Sequence, residues 1–266
     1  MPILGWATHH RLWAMGLGVA VLLAAVAAGV WFFAIRSPGT QIDLRQALRL
    51  YRHDQQSGDP AWSARLPPPG VYRYRTTGDE HLSVGAISRT FPATTEMIVT
   101  DARCATVTWE PLEEHVEGLV ECPLPGGATV MSSALTEEQI AGVHTSQVIH
   151  CPTTATFIPT DPTPSRRWRA TCSASGQRVA VSGEVVGTTT VMVDRREIPA
   201  LHTRITLTFS GTESGTNPTD YWVSLTDGLI LRERETVDVS QQAGPLGAAH
   251  YTEQMGVTLE SEVPTR

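Results

Sequence analysis

An uninterrupted apolar run from Leu12 to Ile35 constrains this 266-residue chain more than any other feature. The run contains no Asp, Glu, Lys or Arg, and Arg11 and Arg36 border it. At about 1.5 Å per helical residue it would reach roughly 36 Å, which is enough to cross a hydrocarbon core of about 30 Å. The sequence therefore predicts a transmembrane helix over residues 12–35, with the lipid bilayer as its partner.

A cleaved signal peptide is the alternative interpretation of this run. The apolar region of a signal peptide normally covers about 7 to 15 residues, whereas this run continues through Trp31 to Ile35, past the small residues before Gly29. The lipid-modified cysteine of a bacterial lipoprotein is also missing, because the first cysteine is Cys104. We therefore expect an uncleaved signal-anchor.

Small residues on one side of the predicted span give a hypothesis about oligomeric state. Gly16, Ala20 and Ala24 lie four positions apart, and such spacing lets two membrane helices approach closely. A homodimer through these residues is one interpretation. The other is the ordinary abundance of alanine in membrane spans.

Two signals disagree about the orientation of the span. One arginine precedes it and four follow it within residues 36–52, which favours a cytoplasmic carboxyl side. The cysteines favour the opposite side, because disulfides persist only in an oxidising compartment, and long domains translocate largely regardless of flanking charge. We predict a single-pass protein of the cell membrane, with residues 1–11 in the cytoplasm and the carboxyl-terminal domain outside it.

The four cysteines form two local pairs in the sequence. Cys104 and Cys122 are 18 positions apart, and Cys151 and Cys172 are 21 apart, with no CxxC or zinc-finger spacing. Disulfides Cys104–Cys122 and Cys151–Cys172 would each link neighbouring strands. Four cysteines nevertheless allow three pairings, so the connectivity stays open.

Composition excludes several kinds of chemistry. The chain has no lysine, which rules out a lysine-dependent P-loop, a Schiff-base enzyme and a Ser–Lys dyad. A net charge of −7 argues against nucleic acid as a partner. The familiar motifs of serine hydrolases, zinc proteases and dinucleotide enzymes do not occur. We therefore predict no catalytic residues, no cofactor and no metal, hence a protein that is not an enzyme.

Residues 36–70 are predicted to form a juxtamembrane segment that connects the span to the folded domain. Gln41 to Gln56 has apolar residues at helical spacing, and residues 57–70 form a Pro-rich linker that ends in Pro67-Pro68-Pro69-Gly70. The short amphipathic helix could lie on anionic lipid through its arginines, or pack on the following domain. The spacing does not choose between these alternatives.

From residue 71 to residue 262 the apolar period changes to two. Tyr72 and Tyr74 alternate with arginines, and Leu201 to Ser210 alternates in the same way, which is typical of strands with one buried face. Turn signals divide this stretch into roughly nine to eleven antiparallel strands. One helical interruption is expected at Leu135 to His144, where Thr136 and Gln139 form a capping-box pattern. The predicted class is mainly β, with a curved antiparallel sheet and one or two short helices.

The later hairpins carry a family resemblance. The segments that carry it are Val191-Met192-Val193, Ile198-Pro199-Ala200-Leu201-His202, Thr219-Asp220-Tyr221-Trp222-Val223 and Asp227-Gly228-Leu229-Ile230-Leu231-Arg232. Over about 45 residues they resemble bacterial envelope proteins of the lipoprotein-localisation type, the LolA/LolB carriers and the mycobacterial glycolipid-binding lipoproteins. The resemblance implies a half-barrel whose concave apolar side faces a helix or an acyl chain. A tethered protein could not shuttle lipid as the carriers do.

These observations support two hypotheses about function. The first is a non-enzymatic module that binds a lipid or apolar ligand in the concave face of the sheet. Its candidate groove lining consists of Tyr72, Tyr74, Trp109, Trp168 and Trp222. The second is an envelope interaction or sensor module that acts through a sheet edge or the wet face and through pairing of the spans.

Acidic residues and histidines are the remaining candidates for chemistry. Glu110, Glu113, Glu114, Glu117 and Glu121 could hold a calcium ion if they converged, but a solvated loop and strand face is the preferred interpretation. Six scattered histidines are interpreted as hydrogen-bonded structure and not as ligands: His81, His115, His144, His150, His202 and His250.

Overall fold

The computed structural model describes residues 39–54, 66–101, 103–140, 143–242 and 248–265. The predicted cytoplasmic segment 1–11, the predicted span 12–35 with Gly16, Ala20 and Ala24, and most of the linker lie outside these residues. No helix within the described residues is long and apolar enough to cross a membrane.

The described residues form one α-helix, a short 3-10 turn and fourteen strands. The helix α1 spans Leu44–Asp54 and the turn spans Val84–Ala86. The strands are β1 (Gly70–Leu82), β2 (Ile87–Thr90), β3 (Thr94–Asp101), β4 (Ala105–Leu112), β5 (His115–Pro123), β6 (Thr129–Ile140), β7 (Val143–His150), β8 (Thr156–Ile158), β9 (Arg167–Ala174), β10 (Gln177–Val193), β11 (Arg196–Gly211), β12 (Glu213–Ser224), β13 (Ile230–Gln242) and β14 (Ala248–Leu259). The mainly β class is confirmed, and there are more strands than the sequence predicts.

The strands form one antiparallel sheet whose ends are joined. Neighbours along the chain pair in order from β3 to β7 and from β9 to β14, while β1 pairs with β3 on one side and with β14 on the other. The pairing of β1 with β14 runs from Tyr74 opposite Leu259 to Leu82 opposite Tyr251. The sheet therefore differs from the expected open half-barrel, because its first and last strands share backbone hydrogen bonds.

Both predicted disulfides are present. Cys104 bonds to Cys122, and Cys151 bonds to Cys172. The second bond lies at the seam between β7 and β9, whose backbones pair only at His150 and Ser173. The disulfide is therefore a covalent link at a place where little backbone pairing joins the two strands.

The helix α1 packs on the outside of the sheet. Ile42 and Ala47 form a buried cluster with Val71 and Ile98, whereas the arginines of the helix at positions 45, 49 and 52 are exposed. The amphipathic helix is thus confirmed. Of the two alternatives for its apolar face, the structure has the one in which the helix packs on the domain.

The predicted helix at Leu135 to His144 is wrong. This stretch belongs to β6 and β7, which pair with each other from Ser133 opposite His150 to Ile140 opposite Val143. β6 also pairs with β5 on its other side. Because pairing on both sides satisfies the backbone of β6, the sheet overrides the local capping-box pattern of Thr136 and Gln139.

Candidate functional site

The interior face of the sheet surrounds a cavity of about 100 Å³. Its walls come mainly from β4 to β6 and from β11 to β13. The apolar lining residues are Met97, Val107, Trp109, Leu119, Met131, Ala134, Leu135, Ile149, Phe157, Ile205, Leu207, Phe209 and Ile230; the polar ones are Glu117, Thr136, Asn217, Thr219, Tyr221, Glu233 and Glu235. A largely apolar cavity with a few polar groups is typical of a small-molecule site.

Two buried carboxyl groups of β13 line the cavity. Glu235 accepts hydrogen bonds from Asn217 Nδ2 at 2.8 Å and from the Thr219 hydroxyl at 3.1 Å. Burial raises the pKa of Glu233 to about 8 and, with help from the charge of Glu117, raises the pKa of Glu235 well above its ordinary value. At neutral pH Glu233 therefore favours its neutral form, which can donate a hydrogen bond, and burial shifts Glu235 in the same direction.

A second polar group lies next to the cavity and is called the Glu–His cluster here: Glu80, His115, Glu138 and Glu253. One potential ligand atom from each residue lies within 4.8 Å of the others. The strand register explains this convergence, because Glu80 lies directly opposite Glu253 between β1 and β14 and His115 lies opposite Glu138 between β5 and β6. Residues that are directly opposite share a face of the sheet.

Glu80 is the most heavily bonded member of the cluster. Its Oε1 accepts a hydrogen bond from Arg89 Nε, and its Oε2 lies 3.1 Å from His115 Nδ1 and 2.9 Å from the Tyr251 hydroxyl. Burial would raise the pKa of Glu80, but the bonds and charges of His115 and Arg89 outweigh burial and lower it. Glu80 is therefore ionised at neutral pH.

His115 is fully buried and lies between carboxylates. Its Nε2 is 3.3 Å from Glu117 Oε1 and 4.0 Å from Glu253 Oε2. Burial opposes the charged ring, yet Glu253, Glu117 and Glu80 together raise the pKa of His115 well above its usual value. The interpretation of this histidine as hydrogen-bonded is confirmed, although its partners are all acidic.

Glu253 and Glu138 are the members of the cluster that burial destabilises most as anions. Burial raises the pKa of Glu253 well above its ordinary value and that of Glu138 to about 7. The Tyr251 hydroxyl lies 2.6 Å from Glu253 Oε2 and 2.9 Å from Glu80 Oε2. One hydroxyl hydrogen cannot serve both carboxylates, so this contact needs a further proton or cation.

Two atoms at the cluster have no hydrogen-bond partner among the described residues. They are Glu253 Oε1 and Arg89 Nη2, and both are buried. A buried carboxylate oxygen without a partner costs roughly 1 to 3 kcal/mol or more. The cluster thus contains three carboxylates and one imidazole, a donor set that can coordinate a metal ion.

The structure places the five predicted groove residues in different surroundings. Trp109 lines the cavity, and its indole N–H donates to the Thr95 hydroxyl at 2.9 Å. Tyr72 and Tyr74 are buried, and their hydroxyls donate to the carbonyl oxygens of Pro68 and Ile230. Neither tyrosine lines the cavity, although Ile230 does.

The other two predicted residues lie away from the cavity lining. Trp222 is partly exposed and stacks on His202, with ring centroids 4.2 Å apart. Trp168 packs over Gly183, directly opposite it in the β9–β10 register. The five aromatic residues therefore do not form one groove.

Most acidic residues of the site are not among the site residues that the sequence predicts. Glu233 and Glu235 alternate in step with Leu231, Val237 and Val239, and this shared two-residue period is the sequence signal that places them on the inward face. The sequence predicts a solvated face for Glu117 and Glu121. This is wrong for Glu121, which is 1% exposed, and for Glu117, which lines the cavity.

Comparison with known proteins finds a weak likeness among solved structures. No protein-family model matches the chain, and no curated protein matches it in sequence. The crystal structure of the hypothetical lipoprotein YmcC from Escherichia coli K12 is similar, with 13% identity and a TM-score of 0.29 over 81% of this chain and 97% of that chain. A likeness at this TM-score carries no argument about function, and the resemblance to the lipoprotein-localisation family stays a prediction.

Proposed function

We propose that this chain is a membrane-anchored, non-enzymatic binding module that takes a small, mainly apolar ligand into the interior of its sheet. The observation that carries the proposal is the cavity of about 100 Å³, with apolar walls and the carboxyl groups of Glu117, Glu233 and Glu235. The anchor in this proposal is the apolar run at residues 12–35, and the two disulfides support an oxidising compartment for the domain.

The size of the cavity limits what it accepts. Pockets for drug-sized ligands have about 300 to 1,000 Å³, and an engineered apolar cavity of about 150 Å³ binds benzene. The cavity here, of about 100 Å³, is smaller and partly open, so it suits one end of a ligand, such as a single ring, with the rest of the ligand in the opening. A whole acyl chain would require side chains of the lining to repack.

The carboxyl groups of the cavity determine which ligand charge it prefers. An anion would meet the carboxylate of Glu117 in a poorly solvated interior, where repulsion costs more than in water. It would also keep the protons on Glu233 and Glu235 in place. An amine cation would pair with Glu117, or would displace the proton of Glu233 or Glu235 and pair with the carboxylate that results. We therefore expect an apolar amine to bind better than a carboxylic acid of the same shape.

Benzylamine and benzoate test this function, because they share a ring and differ in charge. Full-length protein in nanodiscs is titrated with each compound by isothermal calorimetry, and native mass spectrometry records any co-purified ligand. Benzylamine should bind with a stoichiometry near one, and benzoate should bind at least about tenfold more weakly, which corresponds to about 1.4 kcal/mol.

Ala134→Leu, which fills the cavity, should abolish the binding of benzylamine. Thr208→Leu is the matched control, since Thr208 is exposed on β11 and does not line the cavity. Equal binding of benzylamine by wild type and Ala134→Leu would refute the proposal, as would the absence of binding by wild type.

The interaction hypothesis has less support from the sheet. With β1 and β14 paired, the short strands β2 and β8 are the ones placed off the ring of the described strands. Pairing of the spans through Gly16, Ala20 and Ala24 stays a prediction. Crosslinking in membranes, with leucine at those three positions as the comparison, tests it separately from ligand binding.

A further inference from the structure

We propose that Glu80, His115, Glu138 and Glu253 form a binding site for one divalent metal ion. This inference concerns a different group of residues from the cavity lining and does not depend on the proposed function. It rests on the geometry of the cluster and on an unsatisfied atom within it.

The geometry brings the four side chains together from four strands. Their candidate ligand atoms already lie within 4.8 Å of one another, whereas ligands on one tetrahedral ion at about 2.0 to 2.2 Å lie roughly 3.5 Å apart. Rotamer adjustments of less than about 1 Å per side chain close this difference. Backbone pairing on both sides of each strand keeps the four positions in register.

A buried oxygen without a partner is the second observation that supports a cation site. Glu253 is 1% exposed, and its Oε1 has no hydrogen-bond partner in the part of the chain that the structure describes. The other oxygen of Glu253 shares the single Tyr251 hydroxyl hydrogen with Glu80. A metal ion would supply the positive charge that both oxygens lack.

A divalent ion would offset most of the negative charge of the deprotonated cluster. Metal ions bind the deprotonated forms of their ligands, so Glu80, Glu138 and Glu253 would carry −3, a neutral His115 would add nothing, the neighbouring Glu117 would add −1, and Arg89 carries +1 through its ion pair with Glu80. The ion would reduce the remaining −3 to −1, and a poorly solvated interior favours this loss of uncompensated charge.

The surroundings of His115 are those of a metal ligand. Its Nδ1 is close to Glu80 Oε2, at 3.1 Å, and its Nε2 is 3.3 Å from Glu117 Oε1. Nδ1 can therefore face an ion that is shared with Glu80 while Nε2 donates to Glu117, an arrangement that orients metal-binding histidines in general. Glu117 is then a positioning residue and not a ligand.

The donor set selects the class of metal. Calcium and magnesium take oxygen ligands alone, whereas an imidazole together with carboxylates suits first-row ions such as Zn²⁺ and Mn²⁺. We therefore expect Zn²⁺ and Mn²⁺ to bind more tightly than Ca²⁺. Glu138 is the one ligand that is not fully buried, so an ion would enter on its side.

The test uses full-length protein stripped of metal with a chelator. Calorimetric titration with ZnCl₂ or MnCl₂ should give a stoichiometry near one, and Zn²⁺ should raise the unfolding temperature of the wild type. Co²⁺ should give the visible absorption of a site with nitrogen and oxygen ligands. The unfolding temperature and the Co²⁺ absorption are both measured on the wild type.

Glu253→Gln and Glu138→Gln each remove one anionic ligand with little change of shape. Each should weaken the binding of Zn²⁺ by about 10- to 100-fold, since even second-shell changes have effects of this size. Glu121→Gln is the matched control, because Glu121 is equally buried, also has an unpartnered oxygen, and lies outside the cluster. Its affinity should equal that of the wild type.

Three outcomes would overturn the proposal. They are no stoichiometric binding of Zn²⁺ or Mn²⁺ by the wild type, binding that Glu253→Gln and Glu138→Gln leave unchanged, and tighter binding of Ca²⁺ than of Zn²⁺. In the first two cases the cluster is a hydrogen-bonded ion network without a metal. A failure of benzylamine to bind would not bear on this result.

Discussion

Glu80 and Glu253 lie directly opposite each other in the pairing that joins the first strand of the sheet to the last. Two like charges at such a position normally destabilise a sheet. Here Arg89 and the Tyr251 hydroxyl contact Glu80, and the same hydroxyl contacts Glu253. The pairing that joins the ends of the sheet is therefore also the one that brings Glu80 and Glu253 of the Glu–His cluster together.

Removing the Glu80 carboxylate should destabilise the fold strongly. Glu80→Met leaves Arg89, which is 8% exposed, without its carboxylate partner. Breaking a buried pair in this way typically costs about 3 to 5 kcal/mol. Urea unfolding of metal-free protein, followed by intrinsic fluorescence, measures this loss.

An exposed ion pair provides the comparison for Glu80→Met. Arg204 bonds to Asp220 at 3.0 Å but is largely solvent-exposed, so Arg204→Met should cost about 1 kcal/mol or less. If both variants lose the same small amount, the pair of Glu80 and Arg89 is not buried in solution.

The pH dependence of stability should contain a contribution from Glu121. Burial raises the pKa of Glu121 to about 8 from an ordinary value of 4.5. Between about pH 4.5 and pH 8 the folded protein keeps this proton while the unfolded chain releases it. The free energy of unfolding therefore falls as pH rises through this window, by up to about 1.4 kcal/mol per pH unit.

Glu121→Gln isolates this contribution, because glutamine does not titrate. Other buried glutamates also titrate, so the difference between variant and wild type is the quantity to measure. Relative to the wild type, the variant should gain stability steadily from pH 5 to pH 8 in urea unfolding experiments. A constant difference across this range would show that Glu121 has an ordinary pKa.

The disulfide between Cys151 and Cys172 should matter for the integrity of the sheet. In the chain-entropy model, removing either disulfide costs about 3 kcal/mol, since the two loops are similar in length. The two variants should differ in hydrogen exchange. Cys151→Ser with Cys172→Ala should speed exchange in β7 and β9, whose backbones pair at only one position.

The matched control is Cys104→Ser with Cys122→Ala. That disulfide lies beside Ala105 and Glu121, which belong to a continuous run of backbone pairs between β4 and β5. Exchange there should change little. Equal local exchange in the two variants would mean that β7 and β9 are held by contacts other than the disulfide.

Gly183 should not tolerate a side chain. A Cβ at this position would lie 2.0 Å from Trp168 Cε2, so Gly183→Ala must displace the indole ring. Overpacking of this kind typically costs about 1 to 3 kcal/mol. Urea unfolding measures the cost, and tryptophan fluorescence should shift as the ring moves.

Gly187→Ala, four residues further along β10, is the control for Gly183→Ala. A Cβ there meets no atom within 4 Å, so stability should change by less than about 0.5 kcal/mol. Equal stability of the two variants would show that Trp168 does not pack on Gly183.

Local sequence patterns determined the elements that depend on near neighbours. The two-residue alternation identified the antiparallel sheet, and the apolar spacing after residue 41 identified α1. The cysteine spacing favoured the two local disulfides, and the structure decided among the three possible pairings. Each of these signals comes from residues close together in the chain. These signals predict the elements correctly because the burial of one face of a strand or helix fixes the spacing of its apolar residues.

Tertiary structure alone decided the chemistry of the interior. Glu80 and Glu253 are 173 positions apart and meet only because β1 pairs with β14, and His115 joins them from β5. It also decided that Thr136 and Gln139 lie in a strand, since pairing on both sides of β6 outweighs a local capping pattern. Contacts across such distances depend on strand order and register, which the period of a single strand does not contain.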